Sequence, residues 1–265
     1  MRTFSYIKTV LLSGVLAVTG TIAAHAADLT VGANIGNVPW EFQDESGKTV
    51  GFEVDLVTEI AKRLNKSVEF VNIPFNGLFS AVQSGRINMA VSSITITDKR
   101  LESVSFAQPY YDSDQSLTVT AASGITGLGG MSGKVVGVDT GSTGDVWATA
   151  NTAKYSLGEI RRFEGLQPAM LDLVAGRVDG YISDIPALQY YVKGKPELKV
   201  VERIPTGEKY SIMFNKGDPL VAQVNEVITK LKGEGFIAKL HETWFGAKPE
   251  DTTSTVKVAE MPTAK

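Results

Sequence analysis

The 265-residue chain has no cysteine. Disulfides, thiolate metal sites and cysteine nucleophiles are therefore excluded. Histidine is almost as scarce, with His25 and His241 the only two. His25 lies in a leader expected to be removed. His241 lies in a charged helical stretch near the end, expected on its solvated face. No Ser-His-Asp or His-Glu-x-x-His arrangement can be built from these residues, and no His/Asp cluster has metal-ligand spacing. No cofactor and no metal are expected. There is no basic stripe of the kind nucleic acid requires, so no nucleic-acid partner is expected. No run reaches the roughly 20 apolar residues that cross a bilayer.

What is present is the balance of a soluble globular protein, 43% hydrophobic and 21% charged. The first 26 residues read as a secretory signal peptide. Arg2 and Lys8 precede an apolar core from Val10 to Val18, and Ala24-His25-Ala26 supplies a small-x-small cleavage pattern. Cleavage after Ala26 removes two basic residues. That leaves 24 basic against 29 acidic residues, a net charge of −5 on an exported protein.

The mature chain alternates strand and helix. Strands are predicted at 29–33, 66–71, 87–91, 134–138 and 178–182. Helices are predicted at 52–64, 78–83 and 166–174, with another beginning at 145. Val57, Ile60, Ala61 and Leu64 show why, forming one apolar stripe at i, i+3, i+4 and i+7. The alternation predicts α/β lobes with mostly parallel sheets. A weak internal repeat sets Ser84–Ser93 against Ala175–Asp184: helix end, glycine, arginine, strand, small polar residues. It predicts two similar lobes. Its register puts Ser92 and Ser93 at one strand's carboxyl end and Ser183 and Asp184 at the other's. Open α/β sheets bind ligands at that edge, so facing lobes would put both pairs in one cleft. The thinly apolar stretch 248–265 is expected to be a flexible tail.

Three features inside this frame carry charge chemistry. Thr97 and Asp98 can cap a helix whose first turn holds Arg100, an unfavourable place for a cation unless an anion pairs with it. A guanidinium suits a carboxylate, although an ordinary surface arginine fits the same pattern. The turn Asp139-Thr140-Gly141-Ser142-Thr143-Gly144 joins a strand to a helix and could present N–H groups to an anion. It is neither a Walker loop nor a dinucleotide fingerprint, and it could be a plain turn. Asp184 could accept from an ammonium group or cap the next helix, whose start Pro186 suggests. Together they suit a zwitterion. Trp40, Trp147 and Trp244 read as packing residues, but Trp40 stays a candidate ligand residue because it is close to Asn37.

Four stretches in order then resemble one family. These are Gly51-Phe52-Glu53-Val54-Asp55-Leu56, Ser92 to Arg100, Phe106-Ala107-Gln108-Pro109-Tyr110-Tyr111 and Trp244-Phe245-Gly246. The chain from Leu29 to Gly246 resembles the type 3 extracellular solute-binding proteins of polar amino-acid ABC importers. The resemblance implies the periplasmic binding protein type II fold: α/β, two Rossmann-like lobes joined by a two-strand hinge. Lobe 1 would span 28–111 and 213–247, and lobe 2 would be the insertion 115–208. It implies a periplasmic monomer that delivers a small molecule with an α-carboxylate and an α-ammonium to a membrane permease.

In that family the counterpart of Arg100 pairs with the carboxylate, helped by the backbone of Thr95 and Thr143. Ser93 and Asp184 match residues that bind the ammonium. Phe75 matches an aromatic beside the ligand side chain, and Asn34 a polar residue that reaches it. Two positions depart from the pattern. Asn37 stands where the glutamine and histidine binders carry a stacking aromatic. Asp139 stands where the glutamine binder carries lysine, and an inward Asp139 would favour a cationic or donor-bearing side chain. One alternative is a periplasmic cyclohexadienyl or arogenate dehydratase on the same scaffold, with Glu164 or Asp184 as general acid. Another is a separate sensory partner of a membrane receptor.

Overall fold

The structure is a computed structural model and describes residues 27–264. The expected signal peptide lies outside the described residues. Among them, no helix is long and apolar enough to cross a membrane.

Two five-stranded sheets organise the chain. The first runs in the order Val68–Asn72, Leu29–Ala33, Met89–Ala90, Met213–Asn215, Val104–Phe106. Its first three strands are parallel, and Met213–Asn215 is antiparallel to both neighbours. The second runs Leu198–Tyr210, Tyr111–Thr120, Gly180–Asp184, Val135–Asp139, Glu159–Phe163. Its last three strands are parallel, whereas Tyr111–Thr120 is antiparallel to both neighbours. The chain passes from the first sheet to the second between Phe106 and Tyr111 and returns between Tyr210 and Met213. Tyr111 and Tyr210 pair directly, so both crossings lie side by side. The result is the expected α/β architecture of two lobes joined by two strands.

Each sheet is sandwiched between apolar clusters, as expected where helices cover both faces. Leu56, Val57 and Ile60 of helix Phe52–Arg63 bury one face of the first sheet, and Leu78 and Val82 of helix Phe75–Gln83 the other. Leu166 and Leu173 of helix Leu166–Val174 cover one face of the second sheet, and Ala148 of helix Thr143–Tyr155 lies on the opposite face. Strand Leu29–Ala33 and helix Leu166–Val174 match their predicted bounds. Helix Thr143–Tyr155 starts two residues early because the Ser142 hydroxyl caps it, accepting from the Asp145 N–H at 3.1 Å.

Three expectations need correction. The stretch after 247 is docked rather than flexible. Ser254 and Thr255 are buried, the Ser254 N–H donates to Asp112 Oδ2 at 2.8 Å, and the Ala259 N–H donates to Gln108 Oε1 at 3.1 Å. Its hold is polar and long-range, so no local apolar periodicity announces it. His241 is half-buried rather than fully solvated: its ring stacks on Tyr111 with centroids 5.5 Å apart. Trp40 is fully buried in the first lobe. It packs edge-on to Phe52, Tyr111 and Tyr210 at centroid distances of 5.4, 4.7 and 5.4 Å. The tight turn bridging Asn37 and Glu41 swings it inward, where its large apolar surface is worth more than at a wet rim.

Candidate functional site

The carboxyl ends of the two parallel strand sets face each other across a cavity with about 430 Å³ of atom-free space, part of it open to solvent. Twelve of the thirteen candidate residues line it; Trp40 is the exception. Asn34, Asn37, Phe75, Ser92, Ser93, Thr95 and Arg100 come from the first lobe. Asp139, Ser142, Thr143, Ser183 and Asp184 come from the second. Leu166 also lines it and went unnoticed in the sequence. The lobes touch at the rim, where Gly165 adopts φ +145° and a Cβ there would come within 3.3 Å of Asn34 Nδ2.

Asp184 precedes helix Ile185–Val192, yet its side chain makes no capping bond. It turns into the cleft instead. The Ser93 hydroxyl donates to its Oδ2 at 3.0 Å and Gln115 Nε2 to its Oδ1 at 2.6 Å. Asn37 Nδ2 donates to Ser93 Oγ at 3.2 Å and extends this chain. Burial pushes Asp184 up to about 7, and the neighbouring Glu208 charge adds to the rise.

Arg100 is held from behind. The Thr97 hydroxyl caps the single turn Asp98–Leu101 by accepting the Arg100 N–H. Arg100 Nη1 donates to the Thr95 carbonyl at 2.7 Å, and Nη2 to the Gly141 carbonyl across the cleft at 3.3 Å. The guanidinium lies over Phe75 and Phe79, 5.4 and 5.1 Å from their centroids, where ring faces favour a cation. Burial lowers Arg100 to about 10, while Glu208 and Asp184 oppose the fall. It stays charged at neutral pH.

Two more polar residues belong to this site and had no sequence signal. Glu208 is buried on strand Leu198–Tyr210. It accepts from Thr95 Oγ1 at 2.7 Å, Thr143 Oγ1 at 3.0 Å and Gln115 Nε2 at 2.9 Å. Glu208 and Gln115 thus tie the second-lobe hinge strands to Thr95 of the first lobe and to Asp184.

Beneath Ser92 and Ser93 lies a buried acid pair. Ser92 Oγ donates to Glu41 Oε1 at 2.6 Å, and the Ser93 N–H donates to Glu53 Oε1 at 2.9 Å. The Tyr110 hydroxyl also donates to Glu53. The two Oε2 atoms find no other protein donor. Burial raises both carboxyls, Glu41 further because Glu53 adds repulsion. A proton on Glu41 shared with Glu53 satisfies both. Ser93 itself has φ +45°, a left-handed backbone uncommon for a residue with a Cβ. The Glu53 bond holds that conformation and aims the Ser93 hydroxyl at Asp184.

The cavity therefore presents one fixed cation, Arg100, from one lobe and two carboxylates, Asp139 and Asp184, from the other, an arrangement suited to a small molecule bearing both charges. Among the described residues no acidic, histidine or cysteine cluster could hold a metal.

The family of bacterial extracellular solute-binding proteins, family 3, matches residues 29–247. The probable histidine-binding protein of Neisseria gonorrhoeae is 31% identical over 220 residues, covering 81% of this chain and 82% of that protein. The histidine-binding periplasmic protein of Escherichia coli K12 is 28% identical over 248 residues, covering 88% and 95%. Among solved structures, the arginine-, lysine-, histidine-binding protein ArtJ of Geobacillus stearothermophilus has a TM-score of 0.76 and 32% identity, covering 84% of this chain and 97% of that one. With a match that takes in both lobes and the hinge strands between them, this chain belongs to family 3 of the bacterial extracellular solute-binding proteins.

Proposed function

We propose that this protein captures an amino-acid-like zwitterion in the periplasm and presents it to the permease of an ABC importer. The observation that carries the reading is the placement of Arg100 and Asp184 on opposite lobes of one cavity. The ligand carboxylate pairs with the Arg100 guanidinium. It also takes the N–H of Thr143, the first residue of helix Thr143–Tyr155, which has no intrahelical partner. The ammonium donates to Asp184 and Ser93. Each end of the ligand then touches a different lobe, so binding favours the closed arrangement over an open one.

The named relatives support a binding protein rather than an enzyme. Their names, histidine-binding and arginine-, lysine-, histidine-binding, support an amino-acid ligand. A name with the word periplasmic supports the location.

A thermal-shift screen over the amino acids tests the reading, followed by calorimetry on those that stabilise. A micromolar ligand corresponds to about −8 kcal/mol of binding, and a hundredfold excess over its Kd adds about 2.7 kcal/mol of stability. A screen in which no zwitterion raises Tm would overturn the proposal.

A further inference from the structure

We propose that Asp139 selects a ligand whose side chain ends in a cation. This deepens the zwitterion reading and rests on it. Asp139 ends strand Val135–Asp139, the immediate neighbour of the strand that carries Asp184. It lines the same cavity, one strand further along the sheet edge. A ligand that places its ammonium at Asp184 can thus direct its side chain toward Asp139.

The Asp139 carboxylate is thinly supplied with donors. Its Oδ1 is shut off from solvent and makes no hydrogen bond of good geometry, and the one hydroxyl that approaches the carboxylate is that of buried Tyr181. Two other acids of the cleft are well supplied with donors. Asp184 has Ser93 and Gln115, and Glu208 has Thr95, Thr143 and Gln115. A buried acceptor without a donor is costly unless a ligand completes it.

Charge points the same way. Among the described residues Arg100 is the one cation lining the cavity, against Asp139 and Asp184, with Glu208 buried nearby. A zwitterion with a neutral side chain uses Arg100 and Asp184 and leaves Asp139 uncompensated. An acidic side chain adds a further negative charge. A cationic one neutralises it in a setting where unpaired charge is expensive. Glu164, which accepts from Thr140 Oγ1 at 3.1 Å, stands near enough to add to this negative field.

The cavity also has apolar walls for such a side chain. Phe75 from the first lobe and Leu166 from the second both line it. Apolar walls suit a methylene stem, and an aromatic face suits a guanidinium, imidazolium or ammonium group. The ligand class is an α-amino acid, or a derivative of one, with a basic side chain.

Calorimetry with arginine, lysine and histidine against citrulline, glutamine and glutamate tests this at one pH and salt. Citrulline keeps the length and shape of arginine and replaces the guanidinium with a neutral urea. The wild type should bind at least one basic amino acid about 10- to 100-fold more tightly than any neutral one, the range expected of a charged hydrogen bond. In Asp139→Asn, an isosteric change, that preference should shrink to within about threefold, with folding checked by circular dichroism. Neutral ligands that equal basic ones in the wild type would overturn the inference and leave the zwitterion reading standing. So would a preference that survives Asp139→Asn. If no amino acid of either kind binds, the zwitterion reading itself falls.

Discussion

The Ser93 hydroxyl donates to Asp184 Oδ2 at 3.0 Å, joining residues 91 positions apart on different lobes. The bond holds the cleft closed where the ligand ammonium is expected. Asp184 also stands near the buried Glu208, with Gln115 Nε2 donating to both.

That setting predicts pH dependence. Asp184 rises from the usual 3.8 to about 7, chiefly by burial and next by repulsion from Glu208. The groups facing it are Ser93, Gln115, Tyr210, Glu208 and, at longer range, Arg100. A raised carboxyl means that the folded state holds its proton more tightly than the unfolded chain. Its stability contribution is full below about pH 4 and is lost as pH rises to about 7. Ligand binding runs the other way, because an ammonium group favours the ionised acid. Affinity should increase from pH 6 to pH 8 by about tenfold, one pH unit below a pKa near 7 costing about that factor. Asp139, raised to about 6 chiefly by burial, with the Tyr181 hydroxyl opposing the rise and Glu164 adding to it, acts in the same direction for a cationic side chain. Calorimetry at pH 6, 7 and 8 reads this. A flat profile would remove Asp184 as the ammonium partner.

Arg100 is fixed before any ligand arrives, by the Thr95 carbonyl and two aromatic faces. Arg100→Ala should weaken binding roughly 30- to 1,000-fold, the range for removing one member of a buried charge pair. Arg100→Lys keeps the charge and loses the fork, so it should fall between. Titration of all three proteins decides it. Alanine at wild-type affinity would show that the carboxylate binds elsewhere.

The acid pair beneath the site should matter to stability more than to contact. Glu53→Ala leaves the Ser93 N–H and the Tyr110 hydroxyl without an acceptor. A cost of about 2–4 kcal/mol is expected for two buried donors. Glu41→Gln should cost less, because an amide can still donate to Glu53 as the protonated acid does. Urea unfolding of both variants measures the difference. Equal losses would argue against the shared proton.

Trp40→Ala separates packing from recognition. Trp40 fills the space between Phe52, Tyr111 and Tyr210, and its truncation should cost about 3–5 kcal/mol. Because its side chain does not line the cavity, affinity measured below the lowered Tm should change far less than stability does. A large loss of affinity in a well-folded variant would return Trp40 to the site.

The particular residues show what a sequence can disclose here. Ser92, Ser93, Ser183 and Asp184 were legible because a repeat fixes their register, and the carboxyl end of a parallel strand has one functional edge. Arg100 was legible because a cation at a helix start invites an anion. Glu208 was not. It follows a register irregularity between Ile204 and Glu208 on the long hinge strand, and alternation alone cannot tell which way a residue beyond a bulge will point. Gln115 lies on the paired hinge strand, where only the three-dimensional pairing brings it to Asp184. Trp40 misled because nearness in sequence to Asn37 is not nearness in space when a tight turn intervenes. The residues after 247 misled for another reason: their anchors are single polar contacts, and composition registers only apolar ones.

Those anchors make the last prediction. Lys232 is 5% exposed, and its ammonium donates to Gln108 Oε1 at 2.9 Å, the Pro109 carbonyl at 2.7 Å and the Lys257 carbonyl at 2.8 Å. Burial lowers it to about 8, so it needs all three acceptors. On the other side of the hinge, Ser254 binds Asp112 through its N–H and accepts from Lys209 Nζ at 3.0 Å. The segment therefore grips residues from both lobes' hinge approaches. Deleting 248–265 removes one acceptor from a buried cation and two partners from Asp112 and Lys209. A loss of about 1–3 kcal/mol is expected for such unpaired groups. Backbone hydrogen exchange should rise locally at 108–112 and 209–212, where the hinge strands lose their cover. Lys232→Met in the full-length chain should lose less than the deletion, because an apolar stem of similar length fills the site without a buried charge to satisfy. A truncated protein with unchanged unfolding and unchanged exchange would mean that these contacts add nothing to the hinge.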